Sequence, residues 1–220
     1  IDSTMLANMI GSSGGGMGGG CNFQYPDGFD GTPITLDNLS NLYTVPSGKN
    51  LYISAIHAAY SNSWVEINGI RIISGYATSG GEYKYRLGPW YLKSGDVLES
   101  NQTTTTINGF LIDAKVEPIT INGLSNYQGG NSYTVPSGKN LYISSIHSPI
   151  NSDFITINGI RIISGYATSV SEYKAALGPW FLKSGDILES SFMQSSVNGY
   201  LVDENYFAGC GGGGGSSSSA

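Results

Sequence analysis

The stretch Thr44–Asp113 is written twice in this chain. Its second copy, Thr134–Asp203, follows at a constant offset of 90 residues without insertion or deletion, and 45 of 70 aligned positions are identical. An ungapped offset preserves every strand and every turn, so the two copies are one folding unit used twice. The longest shared pieces are Thr44–Ser54 against Thr134–Ser144 and Ile67–Ser79 against Ile157–Ser169. The 220 residues therefore divide into two modules, each large enough for only a modest core, and packing one on the other adds to it.

Within each module, short apolar runs alternate with turn signals in the manner of a β-sandwich or barrel. Pro46–Lys49 is a turn between Leu42–Val45 and Leu51–His57. Asn68-Gly69 sits between Trp64–Ile67 and Ile70–Ile73, the strongest short hairpin signal, because a type I′ turn needs positive φ twice. Ser94–Asp96 separates Trp90–Leu92 from Val97–Glu99, and Asn108-Gly109 reads as another tight corner before Phe110–Asp113. Each module thus carries seven or eight strands with no helix between them, and two stacked antiparallel sheets bury one face of each strand. The expected fold is all-β: two tandem antiparallel β-sandwich, jelly-roll-like units with Gly-rich terminal arms. Residues 1–21 form a docking segment and arm, 22–116 the first sandwich, 117–208 the second and 209–220 a Gly/Ser-rich tail. Alternation places Leu51, Ile53 and Ala55 on the core side of their strand, with Tyr52 and Ser54 opposite.

Charged residues make up only 12% of the chain and the net charge is -6. Ten scattered Lys and Arg residues form no basic stripe, which argues against a nucleic-acid partner. No apolar run of 18 or more residues is present, so membrane insertion by a helix is not expected. A surface rich in Gly, Ser, Thr, Asn and Tyr is common among proteins working outside the cell. The chain starts at Ile1 rather than Met, which fits a removed upstream export segment.

The arms carry their own signals. Met5, Leu6, Met9 and Ile10 follow the capping residues Asp2, Ser3 and Thr4 and fall on one face of a short helix. Such a helix is shorter than the roughly 12 residues that stand alone. It is either a frayed tail or a peptide that docks on a neighbouring subunit. Cys21 and Cys210 each sit where a Gly-rich arm meets the folded body. They read as a disulfide rather than a metal site, and three states are open: a bond within the chain, a bond between subunits, or free thiols.

Residues that could carry chemistry are few and scattered. His57 and His147, at equivalent positions, are the only histidines, and each reads as structural because no second ligand stands at metal spacing. Asp96 and Asp186 follow Ser-Gly and are turn residues rather than halves of an acid/base pair with Glu99 and Glu189. The Gly-rich arms lack the strand, helix and Lys-Ser/Thr of a phosphate loop. Trp90 and Trp180 follow Gly-Pro and read first as core or inter-module packing. With Trp64, Tyr91 and Phe181 they are also the candidate stacking platform for a sugar ring. No catalytic, cofactor-binding or metal residue is expected. The copies diverge in three segments, Ala58–Glu66, Gly80–Arg86 and Asn101–Thr106 with their counterparts. Divergence there is either loop drift or a changed contact surface.

The pattern Tyr43–Ile53, then Ile67–Gly69, Gly88–Trp90 and Leu92–Asp96, with the closing Asn198–Asp203, resembles small β-sandwich modules of secreted bacterial surface proteins, particularly of Bacteroidota, and of phage appendage proteins. The resemblance implies an extracellular or virion structural component without a cofactor, and it supplies no binding residues. The expectation is a non-enzymatic subunit, at the cell surface or outside it, that self-assembles into a filament, sheath or appendage as a homo-oligomer or polymer. The alternatives are a carbohydrate-binding or adhesive module with a glycan or cell-surface ligand, and a virion spike or fibre component.

Overall fold

A computed structural model describes residues 22–39, 41–58, 63–74, 83–84, 89–124, 131–148, 154–164, 176–191 and 195–208. Every regular element in them is a strand. The first module contains β1 (Thr32–Leu36), β2 (Tyr43–Thr44), β3 (Lys49–Ala58), β4 (Trp64–Ile67), β5 (Ile70–Ser74), β6 (Tyr83–Lys84), β7 (Trp90–Leu92), β8 (Val97–Ser100) and β9 (Thr106–Asp113). The second contains β10 (Glu117–Asn122), β11 (Tyr133–Thr134), β12 (Lys139–His147), β13 (Phe154–Ile157), β14 (Ile160–Ser164), β15 (Ala176–Leu182), β16 (Ile187–Ser190) and β17 (Ser196–Asp203).

The first module pairs β1-β9-β3 with β7 and β6 side by side along β3, and a second sheet runs β2-β8-β4-β5. The second module repeats this as β10-β17-β12-β15 and β11-β16-β13-β14. All pairs are antiparallel. Apart from the hairpins β4–β5 and β13–β14 and the neighbours β6 and β7, consecutive strands within a module cross between its two sheets in the order of a double-sheet jelly roll. Each module has its own core between its sheets: Leu51, Ile53, Val65, Ile67, Leu92, Leu98 and Ile107 lead the first, and Leu141, Ile143, Ile155, Leu182, Leu188 and Val197 the second.

The turn chemistry explains why identical pieces fold identically. Asn68 and Asn158 both adopt φ 52°, with Gly69 and Gly159 at φ 75°, the two positive angles that a type I′ hairpin demands. The Asn68 side chain then ties this hairpin to the Ser-Gly-Asp turn: its Nδ2 donates to Asp96 Oδ1 at 2.8 Å and its Oδ1 accepts from the Val97 N–H at 2.8 Å. The other oxygen of Asp96 accepts from the Lys93 N–H at 2.9 Å. Asn158, Asp186, Ile187 and Lys183 repeat the arrangement within 0.1 Å, so these aspartates are turn locks. In each module an exposed ion pair, Lys49–Asp113 at 2.6 Å and Lys139–Asp203 at 2.8 Å, closes the far end of the sheet.

Two expectations, one from a turn signal and one from alternation, are corrected. Asn108-Gly109 is no corner, because β9 runs through it from Thr106 to Asp113. Gly109 is there for close approach, since a Cβ would overlap the Tyr52 carbonyl oxygen, and Gly199 stands in the same relation to Tyr142. The cause of the crowding is a β-bulge. Register steps from Ile53↔Gly109 to Ala55↔Asn108, leaving Ser54 as the extra residue, and Ser144 is its counterpart. A bulge shifts the alternation by one position, so Ile56 rather than Ala55 fills the core beyond it.

Candidate functional site at the seam between the modules

Each module carries three aromatic residues on the outer face of one sheet, paired across strands. They are Tyr52, Tyr91 and Phe110 in the first and Tyr142, Phe181 and Tyr200 in the second. Alternation turns them away from the core that Leu51 and Ile53 build, and a lone sandwich would leave them in water. Here all of them but Phe181 form a third apolar cluster that spans both modules, with Ile112, Val116, Val202, Tyr206 and Phe207. Tyr91 meets Tyr200 edge to face at 5.1 Å across the seam, and Tyr142 stacks on Tyr200 at 5.2 Å.

A strap closes this cluster from outside. The segment from Asn22 to Asp30 has no regular strand and is held by aromatic side chains of both modules. Phe23 packs on Tyr142, Phe181 and Phe207 of the second module, whereas Tyr25 packs on Tyr52 and Phe110 of the first. Phenol hydroxyls donate to the strap's carbonyls: Tyr200 to Phe23 at 2.7 Å, Tyr91 to Gln24 at 2.8 Å and Tyr206 to Pro26 at 3.2 Å. Residues 22–30 therefore bind both sandwiches and do not belong to the first alone.

Asp27 is the strap's anchor. Only 3% exposed, its Oδ2 accepts from the Tyr52 hydroxyl at 2.6 Å and from Asn50 Nδ2 at 2.9 Å, and its Oδ1 accepts from the Val116 N–H at 3.0 Å. A buried carboxylate is tolerated only when donors replace its hydration, and three do so here. Burial, reinforced by the Asp27 charge, holds the Tyr52 phenol far above its ordinary range, so that it remains a donor. Burial also raises Tyr91 and Tyr200. With both its oxygens occupied by donors of the fold, Asp27 acts as a latch rather than as a general base.

The seam itself is an edge seated on a face. Asn198, 2% exposed, points outward from β17 and brackets one residue of the edge strand β7. Its Oδ1 accepts from the Tyr91 N–H at 2.8 Å and its Nδ2 donates to the Tyr91 carbonyl at 2.9 Å. The amide of one side chain thus replaces a missing strand neighbour and satisfies the exposed edge. Thr120 orients it by accepting from Nδ2 at 3.0 Å. The hydroxyl of Ser196 donates to the carbonyl of Arg71, extending the contact to β5.

The two histidines part company. His57 is exposed, whereas His147 is buried beside the seam. Burial, with a smaller contribution from the Arg71 charge across the seam, pushes His147 down to about 4, so it is neutral at physiological pH.

Among the sequence-derived candidates, Trp90 and Tyr91 are each 1% exposed, which corrects their reading as a sugar platform: neither offers a ring face to a ligand. Trp180 is half-buried against the second core. Trp64 is half-buried, with the Arg71 guanidinium 5.2 Å from its ring centroid. Phe181 alone of the five is well exposed. Met5, Leu6, Met9, Ile10, Cys21 and Cys210 lie outside the described residues, as do Tyr85-Arg86 and Phe192-Met193 of the divergent segments. Among the described residues no group of three or more His, Cys, Asp or Glu side chains is placed to hold a metal, and no helix is long and apolar enough to cross a membrane. Asp27, Asn198 and the strap were not anticipated; their one sequence signal is the aromatic density of Phe23, Tyr25 and Phe29.

Comparison with protein-family models finds no match, and comparison with curated proteins finds none either.

Proposed function

We propose that the chain is a non-enzymatic structural subunit that self-assembles into an extracellular filament, sheath or appendage. The observation that carries this reading is the seam, in which the polar groups of Asp27, Asn50, Tyr52, Tyr91 and Asn198 are spent on holding the modules and the strap together. Two sandwiches fixed in this way make a stiff building block. Large apolar side chains nevertheless remain on its surface, among them Phe29, Leu42, Ile160 and Phe181, and such residues favour contact with further copies. The terminal arms add to that contact by docking Met5, Leu6, Met9 and Ile10 on a neighbour.

Sedimentation velocity over a concentration series tests the arm's part. The intact chain is expected to form large species, and removal of residues 1–20 is expected to raise the concentration required by about tenfold, equivalent to about 1.4 kcal/mol. An unchanged threshold would remove those four residues from the mechanism.

We further propose that Cys21 and Cys210 pair within one chain. Phe23 and Phe207, two residues from Cys21 and three from Cys210, have ring centroids 4.7 Å apart, which brings the two ends of the body together. Intact mass after alkylation without reductant should show no free thiol in a chain that migrates as a monomer on a denaturing gel. A disulfide-linked dimer band would assign the bond to the assembly instead.

A second reading, a carbohydrate-binding or adhesive module, rests on the exposed pair Phe23 and Phe181, whose centroids lie 5.5 Å apart. A glycan array answers it directly: a blank array with polymerisation intact disposes of that reading.

A further inference from the structure

The contact that joins the two modules is heterologous: an edge of the first sits on a face of the second. Because the modules are copies, each surface has an equivalent on the other module, and those equivalents are more exposed than the surfaces in the seam. On the edge side, Tyr91 is 1% exposed but its counterpart Phe181 is 54% exposed. Ile70 is half-buried while its counterpart Ile160 is 71% exposed. The strand β15 ends its sheet as β7 does, and the pairing Tyr142↔Phe181 repeats Tyr52↔Tyr91. Antiparallel alternation therefore aims the Phe181 N–H and C=O at the open edge, as it aims those of Tyr91 at Asn198.

On the face side the asymmetry is reversed. Asn198, Ser196 and Tyr200 are buried, whereas Asn108 is exposed and Thr106 and Phe110 are half-buried. Asn108 is nonetheless set much as Asn198 is, although its Oδ1 also accepts from the Ser54 hydroxyl at 3.1 Å. Its Nδ2 donates to Thr35 Oγ1 at 3.2 Å, as that of Asn198 donates to Thr120 at 3.0 Å. The bulge serine below donates to its carbonyl in both modules, Ser54 at 2.9 Å and Ser144 at 3.1 Å. Thr106 retains the hydroxyl that Ser196 uses on the Arg71 carbonyl, and Arg161 stands at the matching position on β14.

From this complementarity we infer that the chain polymerises head to tail by repeating, between molecules, the edge-on-face contact that it makes within itself. The β14–β15 edge of one copy seats on the β1–β9 face of the next. There Asn108 brackets the backbone of Phe181, the hydroxyl of Thr106 reaches the Arg161 carbonyl, and Phe181 covers Phe110 as Tyr91 covers Tyr200. The occupant is a second copy of this chain because each half of the contact is the repeat equivalent of a surface that meets its partner inside one molecule. A heterologous contact does not close on two copies; it propagates to a ring or a fibre. This inference rests on the structural-subunit reading and specifies the surfaces that such a subunit uses.

Two variants test it together. Asn108→Arg blocks the face and leaves the edge intact; Phe181→Arg blocks the edge and leaves the face intact. Both sites are exposed, so each variant is expected to keep the wild-type melting temperature within a few degrees. Thr35→Arg and Ile160→Arg replace either one that does not fold. By sedimentation velocity, the wild type is expected to grow with concentration, and each variant alone is expected to remain monomeric at tenfold higher concentration. Their equimolar mixture should give a 1:1 dimer and nothing larger, because one good edge meets one good face. Variants that polymerise like the wild type, or a mixture that stays monomeric, would overturn the edge-on-face contact and leave the structural-subunit reading standing. A wild type that remains monomeric throughout would overturn both.

Discussion

Asp27→Ala is expected to destabilise the protein by about 4 kcal/mol, lowering the thermal midpoint of a chain this size by about 10 °C. The substitution removes the acceptor from three buried donors at once, the Tyr52 hydroxyl, Asn50 Nδ2 and the Val116 N–H. Each unpaired buried donor costs about 1–3 kcal/mol unless water reaches it. Loss of the anchor also frees the strap, so the carbonyls of Phe23, Gln24 and Pro26 give up their phenol partners more readily. Near-ultraviolet circular dichroism, dominated by the clustered tyrosines, should weaken below the main melting transition. Asp27→Asn should lie between the variant and wild type, because one oxygen is kept while the new NH2 faces groups that are themselves donors. A calorimetric midpoint unchanged by Asp27→Ala would mean that the strap is held by its aromatic contacts alone.

Acidification is the second large effect. His147 has its folded pKa at about 4, against the ordinary histidine value of 6.5. Below pH 6.5 the unfolded chain takes up a proton that the folded chain refuses until pH 4. Stability contributed by keeping this ring neutral is thus complete above pH 6.5 and is lost as pH falls through 6.5 toward 4. The loss is roughly 3 kcal/mol, at 1.36 kcal/mol per unit. Carboxylates titrate in part of the same window, so the comparison is with His147→Gln, which should flatten the denaturant midpoint against pH between 6.5 and 4. Parallel curves for the two proteins would contradict the assignment. Because His147 pairs with Ser196 beside the Arg71 carbonyl, its protonation is also expected to loosen the seam before the cores melt.

Much of the fold was legible because the signals for it are local. Asn68-Gly69 and Ser94–Asp96 specify their turns within a few residues, and the ungapped repeat guarantees that what holds for one module holds for the other. The misreading of Asn108-Gly109 as a corner has a physical origin: a glycine that permits close approach to a bulge has the same letter as a glycine that permits positive φ. Nothing near Gly109 in sequence reports the bulge at Ser54, which lies 55 positions away.

The seam was not legible for a different reason. Asn108 and Asn198 stand in near-identical sequence contexts, yet one is exposed and the other buried, since burial there depends on what the neighbouring module presents. A heterologous contact makes equal sequences unequal. Asp27 likewise sits in a Pro-Asp-Gly turn, and its partners Asn50, Tyr52 and Val116 are 23, 25 and 89 residues away. A Pro-Asp-Gly turn is local chemistry and says nothing about where the carboxylate goes. The divergent segment Ser191–Ser196 did hold a contact residue, since Ser196 reaches Arg71 across the seam.

Electron microscopy of the intact purified chain at rising concentration tests the central claim most directly. Unbranched fibres or rings with sandwich-sized modules at even spacing, two to a chain, are the predicted result. Dispersed single molecules at every concentration would contradict the account of this protein as a self-assembling structural subunit.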